Sequence, residues 1–241
     1  MSFEPEKHAH NMSAQTTTEI DVGLQDHMRK VYNVMCLGLI VTGLAAYAVA
    51  HIEPLFQLIF TTPLKWAAIF GPLLFIWFGF SPARVARMSS AGVQFAFTLF
   101  SALMGVSMAY IFKVYAGADI MRVFFITSGM FAGISLYGYT TKKDLSGVGS
   151  FMIMGLIGLI IASVVNIFLQ STAMHFITSV LGVIIFTGLT AWDTQRIKES
   201  YHMSYGREEM TKFAILGALS LYLNFVLLFQ HLLSLFGGSQ D

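Results

Sequence analysis

Seven apolar stretches, each near the length that crosses a lipid bilayer, constrain this chain more than any other feature. A crossing helix needs about 20 mainly apolar residues at about 1.5 Å rise each. The stretches run from Val31 to Ala50, Leu64 to Phe80, Ala91 to Phe112, Ile120 to Tyr139, Gly147 to Leu169, Ala173 to Trp192 and Phe213 to Phe236. Between them lie breaks rich in Pro and charge, such as HIEPLFQLIFTTP (His51 to Pro63), SPARVARMSS (Ser81 to Ser90) and TTKKDL (Thr140 to Leu145). With 56% hydrophobic and 11% charged residues, a chain of 241 residues has too little polar surface to clothe a soluble globule. The reading is an all-α integral membrane protein, a seven-transmembrane-helix bundle whose first partner is the bilayer.

Orientation follows from the basic residues. Lys7, Arg29, Lys30, Arg84, Arg87, Lys142, Lys143, Arg196, Lys198, Arg207 and Lys212 fall on the side of the N-terminus, and only Lys65, Lys113 and Arg122 on the other. That bias predicts a cytoplasmic N-terminus in the cell inner (plasma) membrane and, after seven crossings, an outside C-terminus. The organisation expected is a polar, disordered cytoplasmic tail over 1–30, a transmembrane domain over 31–236 and a short outside tail over 237–241. A signal-peptide reading of Arg29 to Ala50 is disfavoured, because a secretory signal rarely follows so long a polar tail. Net charge of +1 and the absence of a basic patch leave no nucleic-acid footprint, and the single cysteine, Cys36, forms no intrachain disulfide. GMFAG (Gly129 to Gly133) reads as a close-packing signature. Glu208 and Lys212 stand at helical pairing distance.

Chemistry has to come from the few polar groups in or beside the spans: Asn166, Asp193, Asn224, Gln230 and His231. For Asn166 and Gln230 the expectation is interhelical hydrogen bonding. His231 follows Asn224 by seven residues, so both lie on one helix face, with His231 near the outer interface. Asp193, in GLTAWDTQRIKES, is the one acid that abuts a span without a Pro or loop signal between. Helix formers follow it, so the sixth helix is expected to run on to Lys198 while Arg196 and Lys198 reach for the surface. Such a carboxylate points to function, against the plainer alternative of an interfacial ion pair with Arg196.

Three chemistries make demands that these groups meet or fail. A retinal pigment needs a lysine inside a span, and none is present. A serine protease would draw on Ser135 and His231, whose spacing carries no further signal. A metal enzyme wants clustered His, Asp or Glu, which the spans lack. The expectation is a protein that is not an enzyme and uses no cofactor.

KKDLSGVGSF (Lys142 to Phe151), NIF (Asn166 to Phe168), WDTQRIK (Trp192 to Lys198) and ALSLYLNFVLLF (Ala218 to Phe229) resemble the transmembrane Bax inhibitor motif family, with its compact bacterial seven-helix branch most similar. The resemblance covers nearly the whole chain after the tail. It implies a central seventh helix wrapped by six others and a pH-sensitive calcium leak. In such proteins two aspartates, closing span six and within span seven, share a proton, and an arginine after span two latches them. Carried onto this chain, the first falls on Asp193 and the second on Asn224, an amide where the family usually has a carboxylate. Arg84 and Arg87 are the latch candidates, Arg84 being nearer the membrane. Asp193 is then the one anionic ligand left for a permeating calcium ion, and both conduction and pH sensing are weakened. Counted from Lys198 and Lys212, Asp193 and Asn224 differ in depth by roughly 10 Å, and only the resemblance brings them together. Two functional classes stand: a passive calcium leak, or a non-conducting membrane regulator that binds a membrane protease or another membrane protein.

Overall fold

The computed structural model describes residues 5–201 and 205–238, with side chains from Val22 onward. In hydrocarbon a chain must satisfy its own backbone N–H and C=O groups, and every element among the described residues is accordingly an α-helix. In order they are α1 (Pro5–His51), α2 (Glu53–Phe60), α3 (Leu64–Gly79), α4 (Pro82–Arg87), α5 (Ser90–Met108), α6 (Ile111–Val114), α7 (Gly117–Thr140), α8 (Ser146–Leu169), α9 (Thr172–Glu199) and α10 (Arg207–Phe236).

Six stretches among the described residues are long and apolar enough to span: Val22–His51, Ser90–Val114, α7, α8, α9 and α10. A bent pair, α2 with α3, makes seven when counted as one span. Helix α3 alone has 16 residues, about 24 Å at the helical rise, and joins α2 through a 79° bend at Thr61 to Pro63. The two breaks expected as loops thus carry the short helices α2 and α4, each with a proline in its first turn, where a missing N–H costs nothing. Lys113 of α6 pairs with Glu53 at 3.0 Å and lies 5.0 Å from the Phe56 ring centre, fixing α2 across the end of the third span.

The tail departs from expectation. Helix α1 starts at Pro5, because no proline interrupts the chain again until Pro54, and the stretch from Val22 to Lys30 continues the first span instead of forming a disordered tail. His27 and Met28 are buried, His27 with its ring 5.7 Å from that of Tyr201. Lys30 Nζ donates to Thr211 Oγ1 at 2.7 Å, so this extension runs beside the start of α10. The parts of the expected tails at residues 1–4 and 239–241 lie outside the described residues.

Helix α10 is the axis of the bundle. Its most apolar 18-residue stretch is 67% buried, against 6% for α8. It packs on α1, α5, α7 and α9, whereas α8 leans on α9 alone among its stronger neighbours. Tyr222 anchors it on one side: its hydroxyl meets Thr42 Oγ1 at 2.6 Å, and its ring meets Phe97 and Phe100 edge to face. The expected central seventh helix is borne out.

The close-packing glycines are not those of GMFAG. Gly129 and Gly133 face open space, so that segment packs nothing across its small face. Gly138 of α7 and Gly149 of α8 are among the intimate positions: a Cβ on the first would land on the Ala191 carbonyl, and on the second in the Trp192 ring. Glu208, for its part, accepts from the Ser90 backbone N–H at 3.2 Å and forms no ion pair with Lys212 among the described residues.

Candidate ion and proton site

The glycine contacts at Ala191 and Trp192 hold the last turns of α9 against α7 and α8, which fixes the direction of the next three side chains. Successive residues of a helix turn by about 100°, and Asp193, Thr194 and Gln195 reach three different neighbours. Asp193 Oδ2 accepts from Asn224 Nδ2 of α10 at 2.8 Å. Thr194 Oγ1 and Ser135 Oγ of α7 share a hydrogen bond at 2.9 Å, and Ser135 bonds in turn to the Tyr32 hydroxyl of α1. Gln195 clasps the α7–α8 connection, accepting from Leu145 N–H and donating to the Lys143 carbonyl, each at 2.8 Å.

Asp193 and Asn224 are only 6% and 5% exposed, so each needs the other: a buried amide or carboxylate without a partner is costly. The second carboxylate oxygen, Oδ1, pairs at 2.9 Å with Arg196, one turn further along the same helix. Arg196 lies with its guanidinium 4.8 Å from the Trp192 ring centre, and its side chain is 53% exposed, so it joins the buried acid to the surface. Both oxygens of Asp193 are engaged and its charge is balanced within α9. Lys198 Nζ donates to the Tyr139 carbonyl near the end of α7 at 2.9 Å.

Arg84 and Arg87 are exposed on α4 and form no ion pair among the described residues; the cation on Asp193 is Arg196. No group of three or more His, Cys, Asp or Glu suited to a metal is found among the described residues, and Asp193 is the only acid at this site.

The remaining polar candidates gather at the other end of the bundle. Asn166 Oδ1 accepts from the Ser171 N–H at 3.0 Å, closing the α8–α9 turn in which Gln170 takes a left-handed φ of 49°. It serves a local turn rather than a bond between spans. Gln230 and His231 line a cavity of about 360 Å³ with His175 and Ser234, and the His231 ring stacks on Phe186. Ser135, bonded to Tyr32 and Thr194, has no part in that cluster, which removes the serine–histidine pairing. Sequence reasoning missed the supporting hydroxyls of Tyr32, Thr42 and Tyr222 because Thr and Tyr in a span carry no signal until their partners are known.

Known proteins share this chain over nearly its full length. The family described as "Inhibitor of apoptosis-promoting Bax1" matches residues 24–241. The uncharacterized protein RP147 of Rickettsia prowazekii is 43% identical over 224 residues, covering 92% of this chain and 93% of that protein. The inner membrane protein YbhL of Escherichia coli K12 is 41% identical over 218 residues, 90% and 93% of the two chains. An uncharacterized membrane protein of Streptococcus pyogenes serotype M1 is 33% identical over 224 residues, 91% and 96%. The motifs quoted from the sequence, the all-helical span pattern and these matches agree: the chain is a multi-pass membrane protein of the Bax1 inhibitor family.

Proposed function

We propose that this protein is a passive calcium leak of the inner membrane, held closed at Asp193, with its N-terminus in the cytoplasm. The inner membrane is the location named for the Escherichia coli relative, and the basic bias supports the orientation. The observation that carries the reading is the contact between Asp193 of α9 and Asn224 of α10, the most enclosed helix, at 2.8 Å. Asn224 donates to the carboxylate as a protonated acid would, so the pair stands in the half-protonated form of an acid dyad. Oxygen ligands suit calcium, but only one anionic group serves it here, which keeps conduction and pH sensing weak. In this reading Arg196, paired with Asp193 at 2.9 Å, takes the latch role in place of Arg84 or Arg87.

Restoring the second acid tests this. In calcium-free vesicles Asn224→Asp is expected to raise calcium entry and make it pH-dependent, because two touching carboxylates share a proton that leaves as pH rises, adding a negative charge. A variant that melts lower and admits no more calcium than wild type at any pH would sink the leak.

A second reading, favoured by the saturation of both Asp193 oxygens, is a non-conducting regulator that binds a membrane protein partner such as a protease. Wild-type vesicles that admit no calcium above empty vesicles at any pH decide for it. In neither reading is the protein an enzyme or the user of a cofactor.

A further inference from the structure

A groove of about 650 Å³ opens between α1 and α7, which both lean on α10. Its α1 wall runs from Gln25 to Leu39 and its α7 wall from Tyr139 back to Phe124, a length of about 21 Å at the helical rise. The chemistry along it is ordered. At one mouth stand Gln25 and Arg29, beside the end of α7, from which the chain passes directly to Lys142 and Lys143. Next comes the hydroxyl pair of Tyr32 and Ser135. Beyond these the lining is mainly apolar: Met35, Leu39, Phe124, Phe131 and, as the floor, Phe225, with Cys36 and with Ser128, whose hydroxyl donates to the Phe124 carbonyl of its own helix.

Basic, then hydroxyl, then hydrocarbon is the order that a phospholipid meets along its own length, from anionic headgroup to ester to acyl chain. One leaflet supplies about 15 Å of hydrocarbon, and the apolar part of the groove lies within that depth. Arg29 is free to turn to a headgroup, because its exposed pairing with Asp26 at 3.5 Å holds it weakly.

We propose that this groove is a binding site for one anionic phospholipid, with a single acyl chain lying between α1 and α7 and the headgroup at Arg29. The lipid lies against Ser135, whose other bond reaches Thr194 beside Asp193, so it closes the lateral approach from the bilayer to that carboxylate. The inference is independent of whether the protein conducts.

Native mass spectrometry of the full chain, released from detergent with phosphatidylglycerol or phosphatidylcholine added, tests the site. Wild type is expected to retain one phosphatidylglycerol. Ala132→Trp, on the exposed lip of the groove, is expected to lose it, while Gly133→Trp, which enters open space on α7, keeps it. Arg29→Gln should reduce the preference for phosphatidylglycerol by about fivefold, the value of one basic residue at a membrane surface. Retention by Ala132→Trp equal to wild type, or no retained lipid in wild type, overturns the site. Should Ala132→Trp fail to fold, the wild-type chain provides its own reporter, since its only cysteine, Cys36, lines the groove and is exposed. Labelling of Cys36 by a membrane-dissolved maleimide is expected to slow when phosphatidylglycerol replaces phosphatidylcholine, and an unchanged rate overturns the proposal.

Discussion

Asp193 has two neighbours of different kinds, and they predict different behaviour on substitution. Arg196 is half exposed and reaches water when its acid is removed, whereas Asn224 is buried and depends on its contact. Asp193→Asn keeps the shape and a hydrogen bond to Asn224, so its cost to stability is expected to be about 1 kcal/mol or less. In the leak reading the same change abolishes residual calcium entry together with its pH dependence, measured in reconstituted vesicles. Flux unchanged by it would take Asp193 out of the mechanism and leave a structural ion pair. Tyr222→Phe removes the hydroxyl that meets Thr42, which retains the Gly38 and Ser101 carbonyls as acceptors. A loss of about 1 kcal/mol is expected, read as a lower melting temperature with no change in any flux. Asp193 was legible in the sequence because nothing separates it from its span, and Asn224 because an otherwise familiar motif frames it. Their contact was not legible. Counting depth from Lys198 and Lys212 assumes that charged residues mark one level, but seventeen residues separate Arg207 from Asn224 and only six separate Asp193 from Glu199. Helix α10 therefore projects well past the end of α9, with the extension of α1 alongside it through Lys30 and Thr211.

Among the elements, helices α7 and α8 each approach α9 through a single glycine, where even a methyl group meets a neighbour. Gly138→Ala drives a methyl onto the Ala191 carbonyl, a backbone atom that cannot swing aside. A cost of about 1–3 kcal/mol is expected. Gly133→Ala, five residues away on the open side of the same helix, should leave the melting temperature unchanged or slightly raised, since alanine favours a helix over glycine. Equal effects from the two would contradict the packing described. Spacing alone pointed to Gly129 and Gly133; what distinguishes Gly138 is the neighbour it meets, and that is a property of the bundle, not of the sequence. The helical spans themselves were legible because hydrocarbon leaves a long apolar run few alternatives, while α2 and α4 were not, because a proline reads as a break whether or not a short helix starts there.

At the scale of the molecule, seven crossings require opposite ends on opposite faces. With Cys36 replaced by Ala, a cysteine introduced by Gly206→Cys is expected to be protected from an impermeant maleimide in intact cells, and one introduced by Gly238→Cys to react. Reversed labelling would invert the proposed orientation, and labelling of both from one side would remove a crossing. The ion pair at the site has one further consequence at this scale. Asp193 and Arg196 belong to the same helix, so α9 carries its own counterion, and what joins it to α10 there is a single bond from a neutral amide. A unit charge moved through the whole membrane field is worth about 2.3 kcal/mol per 100 mV. A helix whose acid and base travel together moves no net charge when it slides past its neighbour, so displacement of α9 against α10 is electrically silent and the membrane voltage has no grip on it.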